Sequence, residues 1–484
     1  MMGRRPFYFF VFPLGVLVGG SLFWGNTGCD PTEFDDLAKK APVQFKGTPE
    51  GLDHFGRGLV SLGGTGAEYH PHVVAVGGTG PQSISTVRLT KSGGTALKSG
   101  GETYEGNDEV TSLALVEGDG EFPYLIAGVP KDGVVYLAGF ENNYVPDSQG
   151  IRLVGNDLGL LGTMNFGGAV TAAKMGPVLG ADPTSTFWVV SSSHYLYIFT
   201  DPRNDPDTHV YCHADSECFG AGEECESYRA QDRGLMAGRL FSAPGESDGR
   251  LTVAAGIPKK GATGTVKLIY YFGDGTSTLS ECVEQAGFAT VVLEAPGGAD
   301  EPRFGASVLT VDLDDDGWDE LLVGAPSSNK VYLYSVAEAS RDASPVGDGI
   351  GGGWVGLAPT ATLEPAHSEG VVAFGSSLVA VDLDGDGEDE IAVGDPLARV
   401  GGENNAGRVH LFSVSMSAGP SASVDPLGVL EDAEPQKSSR LGKALAPIRA
   451  GAPAGSQDDG PEELAVLADN GLYLFLKTNT SSAD

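Results

Sequence analysis

Basic residues are scarce in this chain: 30 Lys+Arg stand against 65 Asp+Glu, a formal net charge of −35 over 484 residues. Such a surplus of negative charge repels phosphate backbones and anionic bilayers, which argues against nucleic acid and bare membrane surfaces as partners, and it attracts cations. Histidine is scarce too, with 8 residues: His54, His70, His72, His194, His209, His213, His367 and His410. They are scattered; His70-Pro71-His72 is the one pair close enough to consider for a metal, and a Pro turn is the plainer account. There is no GxSxG, no HExxH, no P-loop and no dinucleotide fingerprint after a strand, so none of the chemistries those motifs serve is signalled. No long stretch carries an amphipathic helical period. No catalytic residue is assigned, and a non-enzyme is expected.

Cysteine is sparse at 5 residues. Cys29 stands apart from Cys212, Cys218, Cys225 and Cys282, an even set suited to two disulfides in an oxidising compartment, with the pairing open among three possibilities. Zinc is the competing reading for the cluster, with His209 and His213 nearby, but the C-x5-C-x6-C spacing lacks the CxxC pairs that make zinc convincing. The start of the chain fits an oxidising destination. Arg4 and Arg5 precede an uncharged apolar run of 18 residues, 7–24, broken by Pro13, Gly15, Gly19 and Gly20. Basic then apolar reads as a secretory signal. It ends at Gly28-Cys29, which resembles the end of a bacterial lipoprotein signal, with Asn26 where such signals usually carry an apolar residue. The expectation is a signal peptide over 1–28, lipidation at Cys29 and a polar tether over 29–41. An uncleaved anchor and a plainly secreted form are the alternatives.

What the chain has in plenty is glycine, 72 residues or about 15%, roughly twice the usual share and suited to many tight turns. Apolar runs of four to eight residues bounded by Gly, Pro, Asn and Asp suit strands covered on both faces. The runs also repeat. Residues 303–336 hold a Phe-Gly opening, an apolar strand, an acidic loop, a second strand ending in Gly-Ala-Pro, and a third strand. Residues 373–414 repeat the order, and Phe304 to Gly324 and Phe374 to Gly394 are both 20 residues.

The acidic loops carry the chemistry. Asp312, Asp314 and Asp316 hold positions 1, 3 and 5, with Gly317 at 6 and Glu320 at 9; Asp382, Asp384, Asp386, Gly387 and Glu390 repeat the arrangement. Alternate carboxylates on a sharply turning backbone converge on one centre, as a hard cation needs if it is to collect six or more oxygens. Trp318 and Glu388 at position 7 would add backbone carbonyls. A Ca²⁺-binding helix–loop–helix would place an acid at position 12, where Val323 and Val393 stand inside apolar runs, so the loops join strands. Solvated acidic turns are the bland alternative, and two copies in one context weigh against it.

Phe304-Gly305 with Gly324-Ala325-Pro326, and Phe374-Gly375 with Gly394-Asp395-Pro396, closely resemble the FG-GAP repeat of integrin α-subunit β-propellers and their bacterial relatives. The resemblance implies an all-β, seven-bladed propeller of four-stranded antiparallel blades with Ca²⁺ between the first two strands of a blade, here at two sites. Weaker copies fit the same frame: His54-Phe55-Gly56; Asn107-Asp108 in place of Phe-Gly; Asn165-Phe166-Gly167; Met236-Ala237, with Gly256 again 20 residues on; and Arg440-Leu441-Gly442. With the two strong copies that makes seven. The corresponding loops of three weaker copies read Leu115, Glu117, Asp119; Pro244, Glu246, Asp248; and Gly455, Gln457, Asp459, and supply no cage. A short strand precedes Phe304 (290–294) and Phe374 (361–364), and Val43-Gln44-Phe45 holds that place before Phe55. The chain ends after a third strand, so 42–46 should complete the seventh blade.

The expected organisation is a propeller over 42–478, with a Cys-rich insertion at about 201–229 in a third-to-fourth-strand connection, and a tail over 479–484. Cys282 would lie in the corresponding connection of the next blade. Carrying the family's role over gives binding or adhesion to a protein or polysaccharide partner. The protein is expected to be a monomer in the cell envelope, lipid-anchored at the outer membrane or cell surface, with a secreted or periplasmic form as the alternative. No RGD motif and no inserted metal-binding domain is present. A Ca²⁺-stabilised propeller enzyme acting on polysaccharide or phosphodiester, and a scaffold subunit of an envelope complex, are the alternative functions.

Overall fold

The computed structural model describes residues 43–46, 54–62, 73–79, 84–90, 93–97, 109–116, 124–141, 145–146, 151–155, 165–174, 186–193, 195–200, 210–214, 234–242, 249–258, 263–271, 288–296, 303–335, 357–365, 370–417, 421–449 and 461–475. Among them strands recur throughout and no α-helix is found. The second strands are the most apolar elements. Glu320–Ala325 (ELLVGA), Glu390–Asp395 (EIAVGD) and Glu463–Ala468 (ELAVLA) are buried along their whole length. A strand buried on both faces needs a sheet in front of it and another behind.

Seven four-stranded antiparallel sheets supply that arrangement. Blade 5 runs Ser307–Val311, Glu320–Ala325, Lys330–Tyr334, Ala361–Leu363; blade 6 runs Ser377–Val381, Glu390–Asp395, Arg408–Ser417, Ser421–Leu430. Phe55-Gly56 and Phe166-Gly167 open blades 1 and 3 as expected, and blades 1 to 4 have the same meander. A two-stranded hairpin, Phe140–Glu141 with Val145–Pro146, is added within blade 2 before its fourth strand. The seven first strands touch one another in cyclic order, the last against the first, so the sheets form a closed ring. Closure is by strand exchange. Val43–Lys46 pairs antiparallel with Gly471–Phe475, Val43 opposite Leu474, and becomes the fourth strand of blade 7. A ring of this kind removes the long exposed edges that invite aggregation.

The repeated residues are explained by what happens between blades. Phe304 and Phe374 are fully buried; Phe374 meets Phe412 edge-on and shares one core cluster with Leu322, Leu333 and Leu363 of blade 5 and Ile391 and Val393 of blade 6. Each Phe therefore fills the seam with the preceding blade. The glycines let the backbones meet. A Cβ on Gly324 would lie 2.2 Å from the carbonyl oxygen of Gly375, and one on Gly394 would lie 2.2 Å from that of Gly442. Ser307 Oγ donates to Gly375 O at 2.7 Å, and Ser377 Oγ to Gly442 O at 2.8 Å. At the closing seam Ala444 takes the serine's place and cannot donate; Lys443 Nζ instead donates to Phe55 O at 3.0 Å. Lys443 also pairs with Asp469.

Three expectations need correction. Ser112 stands opposite Gly128 as Ser307 stands opposite Gly324, so Glu109-Val110, and not Asn107-Asp108, occupies the Phe-Gly place of blade 2. In blade 4, Leu235 pairs with Ala255, which puts Met236-Ala237 inside the first strand. Its first two strands, Leu235–Ser242 and Gly249–Ile257, are longer and bulged between Gly238 and Phe241, so the 20-residue spacing is met by a residue of the strand itself. The Cys-rich segment is not a single third-to-fourth connection. Val210–Ala214 is the fourth strand of blade 3, and Cys212 lies on it opposite Tyr197.

Candidate metal centres

Both acidic loops turn from the first strand of a blade into the second, and they share one backbone path. Position 4 is left-handed in each, Asp315 at φ 54° and Gly385 at φ 79°, as is position 6, Gly317 at φ 87° and Gly387 at φ 90°. A Cβ at Gly317 or Gly387 would meet nothing within 4 Å, so glycine is there for its conformational freedom alone. The position 1 aspartate holds the turn. Asp312 accepts from the N–H groups of Asp316 at 3.2 Å and Gly317 at 2.9 Å; Asp382 accepts from Gly385 at 2.6 Å and Gly387 at 3.2 Å. Asp316 accepts the Trp318 N–H at 2.9 Å, and Asp386 the Glu388 N–H at 2.8 Å.

The turn brings carboxylates together. One oxygen each of Asp312, Asp314 and Asp316 lie within 4.8 Å of one another in blade 5, and likewise Asp382, Asp384 and Glu390 in blade 6. The donor set is oxygen only, which fits a hard divalent cation and not zinc. The two groups differ in membership. Glu320, fully buried, spends its carboxylate on the Leu313 N–H at 3.0 Å and the Ser335 hydroxyl at 3.1 Å, and stands outside the blade 5 group. Glu390 accepts the Leu383 N–H at 2.8 Å yet joins its group, from which Asp386 is left out. Trp318 is buried.

Charge accumulates here. Burial, and then the charges of Asp386, Asp384 and Asp315, push the Glu388 carboxyl above the usual range. Asp389 is pushed up by burial and then by Asp382 and Asp315. The charge of Asp315 of blade 5 thus reaches two acids of blade 6. A bound cation would relieve that repulsion.

Sequence reasoning overlooked the acid at position 8. Asp319 accepts the Arg239 N–H of blade 4 at 2.8 Å and returns its own N–H to Arg239 O at 3.2 Å. The signal was legible, since both strong repeats carry Asp there. Glu462 was also missed: its N–H donates to Asp382 O at 2.7 Å, joining blade 7 to the blade 6 loop. The loops of blades 2, 4 and 7 that lack the acid set fall largely outside the described residues, as do Cys29, Cys218, Cys225 and Cys282. Among the described residues no helix is long and apolar enough to cross a membrane; the apolar run 7–24 lies outside them.

The chain carries FG-GAP repeats: the family model so described matches residues 304–337 and 374–412, blades 5 and 6. The chain is similar to integrin alpha-11 of Homo sapiens, 29% identical over 182 residues, which are 36% of this chain and 12% of the integrin. It is similar to integrin alpha-7 of Homo sapiens, 35% identical over 119 residues, 24% of this chain and 9% of the integrin. The likeness therefore spans about an eighth or less of those relatives.

Proposed function

We propose that this FG-GAP propeller is a Ca²⁺-binding protein of the cell envelope that binds a protein or polysaccharide partner through loops at one face of its ring. The observation that carries the cation reading is the pair of oxygen-only carboxylate groups at the same place in consecutive blades. Asp312, Asp314, Asp316 and the Trp318 carbonyl would hold one ion, with Glu320 behind them. Asp382, Asp384, Glu390 and the Glu388 carbonyl would hold the other, with Asp386 completing the shell. Ca²⁺ supplies the positive charge that lets these acids stay ionised at close quarters. The likeness to integrin alpha subunits supports a binding role without catalysis. The acidic surface supports a partner other than nucleic acid, and the Gly28-Cys29 signal supports lipid anchoring at Cys29 of a monomer whose other four cysteines form two disulfides.

The test is binding of the full chain to a panel of polysaccharides and envelope proteins, with Ca²⁺ or with chelator. Saturable binding to a panel member, lost in chelator and in Asp314→Ala/Asp384→Ala, is expected. Conversion of any panel polysaccharide, or absence of binding throughout, overturns the reading. Mass spectrometry of the mature amino-terminal peptide tests the anchor separately: acylated Cys29 is expected, and an unmodified terminus contradicts it.

A further inference from the structure

Blades 4 and 7 lack the acid set in their own first loops, yet each is held by the acidic loop of a neighbour. On the blade 4 side, Asp319 exchanges two hydrogen bonds with the backbone of Arg239, and Thr310 Oγ1 donates to Ala237 O at 3.1 Å. This contact sits on the bulge between Gly238 and Phe241, where a Cβ on Gly238 would lie 2.4 Å from Asp319 Oδ2. Only glycine lets the loop close down on blade 4. On the blade 7 side, Asp382 O takes the Glu462 N–H at 2.7 Å, Pro461 abuts Gly385, and Glu462 pairs with Arg449 at 3.5 Å.

We infer that the two acidic loops are cation-dependent clasps, locking blade 5 to blade 4 through Asp319 and blade 6 to blade 7 through Asp382. This rests on the Ca²⁺ reading given above. Asp319 lies between Trp318 and Glu320, and Asp382 is itself a member of the carboxylate group, so a cation that fixes either loop fixes the bond to the neighbouring blade. Without the cation, repelling carboxylates loosen the loop and release both. Cation occupancy then governs the rigidity of the arc from blade 4 to blade 7 and leaves blades 1 to 3 unaffected, a local-stability difference of the kind amide exchange reads directly.

Hydrogen exchange of the full chain in Ca²⁺ and in chelator, with calorimetric Ca²⁺ titration alongside, tests this. Ca²⁺ should slow exchange about tenfold or more in residues 312–320 and 382–390. It should do the same in Leu235–Ser242 and Glu463–Ala468, with Val73–Thr79 and Tyr124–Val129 unchanged. Asp319→Ala should keep loop protection and Ca²⁺ binding but lose protection at 235–242, and Asp319→Asn, which retains an acceptor, should restore it. Protection confined to the two loops overturns the clasp and leaves the Ca²⁺ reading standing. No Ca²⁺ effect anywhere overturns both.

Discussion

The contact between blades 5 and 6 offers a sharp test of why the repeat carries its glycines. Replacing Gly324 with Ala adds one methyl group at a point where the neighbouring backbone already sits. The new Cβ would lie 2.1 Å from Ser307 Oγ and 2.2 Å from Gly375 O, far inside the ordinary contact range. Either the blades part or Ser307 turns away, and its 2.7 Å bond to Gly375 O is lost in both cases. Overpacking a tight interior costs about 1–3 kcal/mol, and the hydrogen bond contributes about 0.5–1.5 kcal/mol. Together they give about 2–4 kcal/mol. In a chain this long each kcal/mol moves the melting midpoint by about 1 °C, so calorimetry should show a fall of about 2–4 °C. Two controls separate the causes. Ser307→Ala removes only the hydrogen bond and should cost about 1 °C. Gly317→Ala meets open space and should cost only the left-handed backbone, about 1–2 kcal/mol. Gly324→Ala melting with wild type, or no lower than Ser307→Ala, would refute the close-approach argument.

Two further outcomes follow from ring closure and burial. Deleting 42–46 removes a strand with four register pairs to Gly471–Phe475; at about 0.5–1.5 kcal/mol per ladder bond the urea midpoint should drop clearly, and an unchanged midpoint would show that the ring closes without it. Asp395 is fully buried, and that burial raises its carboxyl pKa against the lowering pull of the Ala373 and Val372 N–H groups and Arg408. A folded pKa above the unfolded one gives a stability contribution that is present in acid and lost as pH rises through the folded value. Wild type should therefore gain on Asp395→Asn when both are melted at pH about 4 instead of 7; a pH-independent difference contradicts this.

Much of the ring was legible because its signals are backbone requirements. Phe-Gly and the Gly of Gly-Ala-Pro mark seams where an apolar ring is buried and two backbones meet, and equal spacing in two copies fixed the meander. The N-terminal strand could be placed because blade 7 ends one strand short. The weak copies misled where the seam is built differently. Blade 2 puts Val110 at the place where the strong repeats have Gly305 and Gly375, and blade 4 has a bulge that no residue-type rule announces. The acidic loops were visible as patterns of carboxylates, but the pattern could not say that Glu320 turns to Ser335 while Glu390 joins Asp382. Nor does it contain the partners of Asp319 and Asp382, since Arg239 and Glu462 lie 80 residues away from each of them in sequence.

Ca²⁺ binding by the acidic loops of blades 5 and 6 underlies the clasps and the proposed binding role alike. Thermal unfolding of the full chain in Ca²⁺ and in chelator, beside the Asp314→Ala/Asp384→Ala variant, measures it directly. At a hundredfold excess over Kd each site adds about 2.7 kcal/mol, so two sites should raise the midpoint by about 5 °C, and the variant should lose the rise. Equal melting in Ca²⁺ and chelator would contradict the claim and reduce the loops to solvated acidic turns on a ring that stands without them.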